Sequence, residues 1–201
     1  MTESTAHITD STSRAPRVAF QGALGAFSEL AIRQQWSGRA DAMPCDSFPD
    51  ALAAVVEQRA DFAVIPIENA IAGRVVSALD ALNAAGDTVE TCGEIRVPIH
   101  LCLMAPHGAT LAELRAVHSH PVALAQCRIF FARHGWLVPT PHADTAGAAR
   151  DVATAADRTV GAVAGAAAAE RYDLEIIARS IEDVPANWTR FVIVKRVGSS
   201  E

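Results

Sequence analysis

The chain has 201 residues, with 17 Lys and Arg against 23 Asp and Glu, and a formal net charge of −6. Half of the residues are hydrophobic, 20% are charged and only 5% are aromatic, which places the chain in the globular class and excludes general disorder. The acidic balance argues against non-specific nucleic-acid binding, which draws on a surplus of Lys and Arg. At roughly 150 residues per domain, the length suits one large domain or two small lobes.

The first fifteen residues, MTESTAHITDSTSRA, read as a disordered polar tail and lack the basic and apolar regions of a signal peptide. The expected location is therefore cytoplasmic. No apolar run approaches the roughly 20 residues of a bilayer span, and Ala162 to Ala169, the nearest, is far too short. Cys45, Cys92, Cys102 and Cys127 have no CxxC spacing, so the expectation is buried, reduced thiols rather than a disulfide framework.

From Arg17 onward, short β-rich runs alternate with Ala-rich helical segments. Arg17 to Gln21 reads as a strand, Gly22 and Gly25 as a turn, and Phe27 to Trp36 as a helix with Phe27, Leu30, Ala31 and Gln34 on neighbouring turns. A second helix is predicted over Pro49 to Arg59, with Phe48 and Leu52 as an N-terminal hydrophobic staple. Phe62 to Ile67 is an apolar run of strand length. This alternation predicts an α/β fold with a mostly parallel sheet.

Gly93 to Met104 is long for one strand and carries Pro98, which marks the crossing into a second lobe. Ala116 to Ser119, Leu137 to Thr140 and Thr159 to Val163 are predicted strands, separated by helices over Pro121–His134 and Thr145–Ala155. Phe191 to Val197 is a last strand returning to the first lobe. The expected organisation is a tail over 1–15, a first lobe of 16–97 with 183–201, and a second lobe of 98–182. Two lobes joined by two crossings make a cleft, where small ligands bind.

Five segments carry candidate chemistry. Gly22 to Ser28 joins the first strand to the first helix, where backbone N–H groups near Gly25 and Ser28 favour an anion. It matches neither GxGxxG nor a P-loop. Glu68-Asn69 follows the apolar strand, at the usual ligand edge of such a sheet, with Arg74 beyond it. His118-Ser119-His120-Pro121 closes one strand and opens a helix that carries Gln126. Asp144-Thr145 repeats that pattern, with helix capping as the simplest reading. Asn187-Trp188-Thr189-Arg190-Phe191 precedes the last predicted strand and offers an amide, a hydroxyl and a bidentate cation to an oxygen-rich anion. The His pair has no third ligand at metal spacing. From the residues alone, the chain binds a small anion, as an enzyme or as a binding protein.

Taken in order, FQGALGAFSELA, FAVIPIEN, GEIRVPIHLCL, SHPVALAQC, DTAGAA and NWTRF resemble the catalytic domain of prephenate dehydratases from about Val18 to Lys195. The resemblance implies two Rossmann-like or periplasmic-binding-protein-like α/β lobes, no metal or organic cofactor, and a homodimer or homotetramer. It implies decarboxylative dehydration of prephenate, with Thr189 donating a hydrogen bond to the departing hydroxyl. Asn69, Ser119 and Gln126 match substrate-binding positions. His120, Thr145, Arg190, Phe191, Gly25 and Ser28 follow as further substrate-binding candidates. Ala70 and Asp144 replace hydroxyl residues usual in the family, and Val122 replaces a common Gln. The short stretch after the TRF strand implies a chain without the phenylalanine-sensing ACT domain. Rival readings are a prephenate decarboxylase that does not aromatise the ring, an arogenate dehydratase, and a non-catalytic small-anion binding protein. The intact Thr189-Arg190-Phe191 triplet favours dehydration.

Overall fold

A computed structural model describes residues 14–199. The predicted tail over residues 1–15 therefore lies, for residues 1–13, outside the described residues. The remainder groups by internal contacts into two compact units. The first comprises residues up to Gly22, Phe27–Pro98 and the segment from Trp188; the second comprises Ala23–Ala26 and Ile99–Asn187. The crossing at Pro98 coincides with the proline that splits Gly93–Met104. The return crossing falls at Asn187, so residues 183–187 sit with the second unit rather than with the first lobe. Their contacts explain the difference: the Asp183 carboxylate accepts from the backbone N–H groups of Arg128 and Ile129, and Asn187 bonds Gln126.

The first unit is built on β1 (Arg17–Gln21), α1 (Phe27–Gln35), β2 (Asp41–Cys45), α2 (Phe48–Val56), β3 (Phe62–Asn69), β4 (Gly73–Arg74), α3 (Val76–Ala85), β5 (Val89–Pro98) and β11 (Trp188–Arg196). Its sheet runs in the order β2-β1-β3-β11-β5, with the two-residue β4 paired to the end of β3. Strand alternation sorts the buried residues by face. Ala19, Ala63, Ile65, Val192 and Val194 pack with Ala51, Leu52, Val55, Ala78 and Ala81 of α2 and α3. The intervening Val18, Phe20, Val64, Phe191 and Ile193 are equally buried and belong to the face covered by α1.

The second unit holds β6 (Cys102–Ala105), β7 (Ala116–Ser119), α4 (Pro121–Ala125), α5 (Arg128–Arg133), β8 (Val138–Pro141), α6 (Thr145–Ala155), β9 (Val160–Ala164), α7 (Ala166–Tyr172) and β10 (Glu175–Ala178). Its sheet order is β10-β6-β9-β7-β8. The Ala richness of the chain has its use here. Ala146, Ala148 and Ala149 of α6 and Ala168 and Ala169 of α7 pack against Ala162, Ala164, Cys102 and Met104 of the sheet.

Several expectations are corrected. Both sheets are mixed rather than mostly parallel. In the first unit only β1 pairs in parallel, with β2 and β3, while β11 runs antiparallel to both β3 and β5. The reason is connectivity: the chain leaves the unit along β5 and returns along β11, so the two strands must run in opposite directions. The strand β2 lacks an apolar run and carries Pro44, which its edge position tolerates. In α2 the N-cap is Ser47, whose hydroxyl accepts from Asp50 N–H. Phe48 is thus the first helical residue, two positions too late for a staple. The helix predicted over Pro121–His134 is two short helices broken at Gln126 and Cys127. The last strand begins at Trp188, so Thr189-Arg190-Phe191 lies inside it.

Among the described residues no disulfide joins the cysteines; Cys102 and Cys127 are buried, whereas Cys45 and Cys92 are half-buried. Burial pushes the Cys127 thiol up to about 12. Among the described residues no helix is long and apolar enough to cross a membrane.

The turn after β1 belongs to the second unit through Gly25. Its φ is +88°, and a Cβ there would stand 2.9 Å from the Ala168 Cα. The Tyr172 hydroxyl, also on α7, donates to the Leu24 carbonyl at 2.7 Å. Gly25→Ala is expected to lose about 1–3 kcal/mol of stability, since it adds both left-handed strain and a backbone clash. Urea unfolding reads this as a lowered midpoint, and an unchanged midpoint would contradict the packing described.

Candidate active site

In the first unit the site residues are set by a bulge. Ile65 and Pro66 of β3 face Val192 and Phe191, but beyond Pro66 the register slips by one, so that Glu68 faces Arg190 and Asn69 faces Thr189. Without the extra residue at Ile67, Glu68 would stand opposite Thr189. Pro66 has no N–H to give the ladder, which suits it to an irregular position.

Among the described residues, the Asn69 side chain makes four hydrogen bonds. Its Nδ2 donates to Thr189 Oγ1 at 3.0 Å and to the Trp188 carbonyl at 3.1 Å. Its Oδ1 accepts from the backbone N–H groups of Ile71 and Ala72, at 3.1 and 2.9 Å. Two backbone donors can be met only by the amide oxygen, so the amide orientation is fixed by the turn it closes. The consequence reaches Thr189. An N–H occupies a lone pair of its Oγ1, which directs the hydroxyl proton away from Asn69 and makes it available as a donor.

Arg190 projects to the opposite face of β11 from Thr189. Its guanidinium is 2.9 Å from Glu68 Oε2 and 3.4 Å from Glu94 Oε2, so it braces the strands on both sides of β11. Arg190→Gln is accordingly expected to lower the thermal midpoint while retaining more of kcat/KM than loss of the Thr189 hydroxyl. An equal or larger loss of kcat/KM with the midpoint unchanged would return Arg190 to the role of anion clamp. Phe191 is 2% exposed and belongs to the core. Ser28 is buried on the second position of α1.

The second unit carries the other candidates. Ser119 ends β7 fully buried, and its hydroxyl donates to the Val163 carbonyl at 2.6 Å. His120 is the N-cap of α4, with Nδ1 accepting from Val122 N–H. Thr145 opens α6 behind the N-cap Asp144, whose carboxylate accepts from Gly147 N–H at 2.6 Å. A side chain at Gly147 would collide with that carboxylate, so the small residue is what lets the cap close. Asp144 is thus a helix cap, the simplest reading of Asp144-Thr145. Gln126 is 8% exposed at the end of α4, and its Oε1 accepts from Asn187 Nδ2 at 3.1 Å.

Direct contact therefore joins Asn69 to Thr189 in one unit and Gln126 to Asn187 in the other. Sequence reasoning missed Glu68 as the partner of Arg190 and Asn187 as the partner of Gln126. Both stood inside quoted motifs, and what was absent was the pairing. Arg74 is exposed on β4. Among the described residues no group of three His, Cys, Asp or Glu side chains is placed to hold a metal ion.

A profile of the family described as prephenate dehydratase matches residues 18–199. A bifunctional N-acyl-homoserine lactone acylase/prephenate dehydratase of Komagataeibacter europaeus is 42% identical over 179 residues, covering 89% of this chain and 62% of that protein. Arogenate dehydratase 1 of Petunia hybrida is 41% identical over 181 residues, 90% of this chain and 42% of the relative. Among solved structures, a prephenate dehydratase from Arthrobacter aurescens in complex with L-Phe superposes with a TM-score of 0.82 at 32% identity, covering 91% of this chain and 61% of that one. The chain spans about half the length of the curated relatives it matches. With the family profile running through both units and every segment discussed above, the chain belongs to the prephenate dehydratase family.

Proposed function

We propose that this chain is a carbon–oxygen lyase that converts prephenate to phenylpyruvate in phenylalanine biosynthesis. The prephenate dianion and one proton yield phenylpyruvate, CO2 and water. The bond from the ring to its carboxylate breaks, that electron pair enters the ring, and the ring hydroxyl leaves with the added proton. Aromatisation drives the step, but hydroxide is a poor leaving group. A donor to the departing oxygen lowers the barrier, typically by about 10²–10⁴-fold. Thr189 is that donor. Its hydroxyl is too weakly acidic to surrender a proton outright, so it supplies a hydrogen bond while the proton comes from water.

The observation that carries this reading is the Asn69 Nδ2 bond to Thr189 Oγ1, which fixes the direction in which the hydroxyl donates. Ser119, His120, Gln126 and Thr145 are the substrate-binding residues proposed in the second unit, and backbone N–H groups around Gly25 and Ser28 are proposed to meet a carboxylate. The test is turnover of purified chain with prephenate, following phenylpyruvate by chromatography and mass. Phenylpyruvate is the expected product. A dihydro keto acid would establish the non-aromatising decarboxylase instead, and tight binding without turnover would establish a binding protein.

A second reading is favoured by the relatives themselves, since the Petunia protein at 41% identity is named an arogenate dehydratase. Arogenate carries an amino group in place of the keto group and undergoes the same ring chemistry. The two substrates are separated by their kcat/KM values on the same preparation. We also propose a cytoplasmic homodimer or homotetramer, for which light scattering during gel filtration is decisive; a monomer throughout would contradict it.

A further inference from the structure

Asn187 is the one residue of the NWTRF segment that pairs into the second unit. It is 3% exposed, and its Nδ2 donates to Gln126 Oε1. Its own Oδ1 is buried without a hydrogen-bond partner among the described residues. Turning both amides over would only exchange the unpaired oxygen for an unpaired N–H group. Either orientation leaves Asn187 incompletely satisfied, and buried polar groups in that state call for an explanation. What the contact does provide is a fixed Gln126: with Oε1 engaged by Asn187, the amide turns its N–H side away from that contact.

The backbone is arranged to keep the two side chains together. The Gln126 carbonyl accepts from Asp183 N–H at 2.6 Å, the Asp183 carboxylate caps the start of α5, and the Asn187 carbonyl accepts from Ile99 N–H. The break between α4 and α5 therefore places Gln126 where the returning chain passes.

We propose that Asn187 is a positioning residue for Gln126, setting the direction in which that amide donates to an anionic, oxygen-rich substrate. This rests on the reading of Gln126 as substrate-binding. It adds that the NWTRF segment serves two ends, Thr189 through Asn69 and Gln126 through Asn187.

A double-mutant cycle tests it. Gln126→Ala, Asn187→Ala and the double variant are compared for kcat and KM with prephenate and arogenate, and the Gln126 side-chain amide is followed by ¹⁵N NMR in wild type and Asn187→Ala. Asn187→Ala is expected to lower kcat/KM by about 5- to 100-fold, through the same parameter that Gln126→Ala changes, and the double variant to be no worse than Gln126→Ala. The Gln126 amide resonances shift in Asn187→Ala. Losses that multiply across the two sites, or an unshifted Gln126 amide, would overturn the proposal, because a merely structural tie acts independently of Gln126. Should wild type turn over neither substrate, the dehydratase reading fails while the amide resonances still decide whether Asn187 orients Gln126.

Discussion

Thr189→Ala is expected to lower kcat/KM for prephenate by about 10²–10⁴-fold, the usual weight of a positioned proton donor. Stability should change little, because the residue is half-buried at the start of β11 and its main-chain pairing with Asn69 and Val97 does not depend on the side chain. Thr189→Ser retains the hydroxyl and should keep a substantial part of the activity. Steady-state kinetics on the three proteins, with thermal unfolding alongside, separates the two effects. If Ala and Ser are equally impaired, the hydroxyl is not the working group.

Asn69→Asp should be nearly as damaging to turnover, for a different reason. The carboxylate keeps an oxygen for the N–H groups of Ile71 and Ala72, so the turn after β3 survives. It loses the donor to Thr189 Oγ1 and presents an acceptor instead. The Thr189 hydroxyl then donates to that carboxylate and its proton is lost to the leaving group. The Trp188 carbonyl keeps the Ala70 N–H but loses the Asn69 amide and faces an oxygen in its place, which lowers stability by about 1 kcal/mol. The expected result is a kcat/KM reduced by at least about 100-fold in a folded protein with a lowered thermal midpoint. Activity close to wild type would show that the direction of the Thr189 proton is not set by Asn69.

The elements legible in the sequence are those whose signal is local. Arg17–Gln21, Ala116–Ser119 and Thr145–Ala155 were found at their observed limits because apolar runs, a Pro after His120 and an Asp before Thr145 mark them. The strand β2 was not found, since an edge strand reading Asp-Ala-Met-Pro-Cys has no apolar run to declare it. The helix α7 was missed for a related reason: its run of Ala carries no face, and its burial depends on α6 and the sheet; β10, at four residues, is too short to show a period. Parallel or antiparallel pairing is equally invisible locally, because it follows from where the chain leaves and re-enters a unit.

Within the candidate site, residue types were legible and partnerships were not. Thr189 and Asn69 were both singled out, yet their contact depends on a one-residue bulge at Ile67 that no composition announces. With its segment read as a loop, Arg190 was equally an anion clamp or a salt-bridge brace of that loop. As a strand residue it alternates away from Thr189 and meets Glu68 and Glu94. The motif's order along the chain was correct in each case, and only the strand geometry assigns its side chains to opposite faces.

The central claim is that loss of CO2 and loss of the hydroxyl are one event assisted by Thr189. It is tested most directly by measuring CO2 and phenylpyruvate together from wild type and Thr189→Ala supplied with prephenate. The account predicts equal amounts from wild type, and from Thr189→Ala the same ratio at a rate lower by about 10²–10⁴-fold. CO2 released by wild type without an equal amount of phenylpyruvate would contradict it.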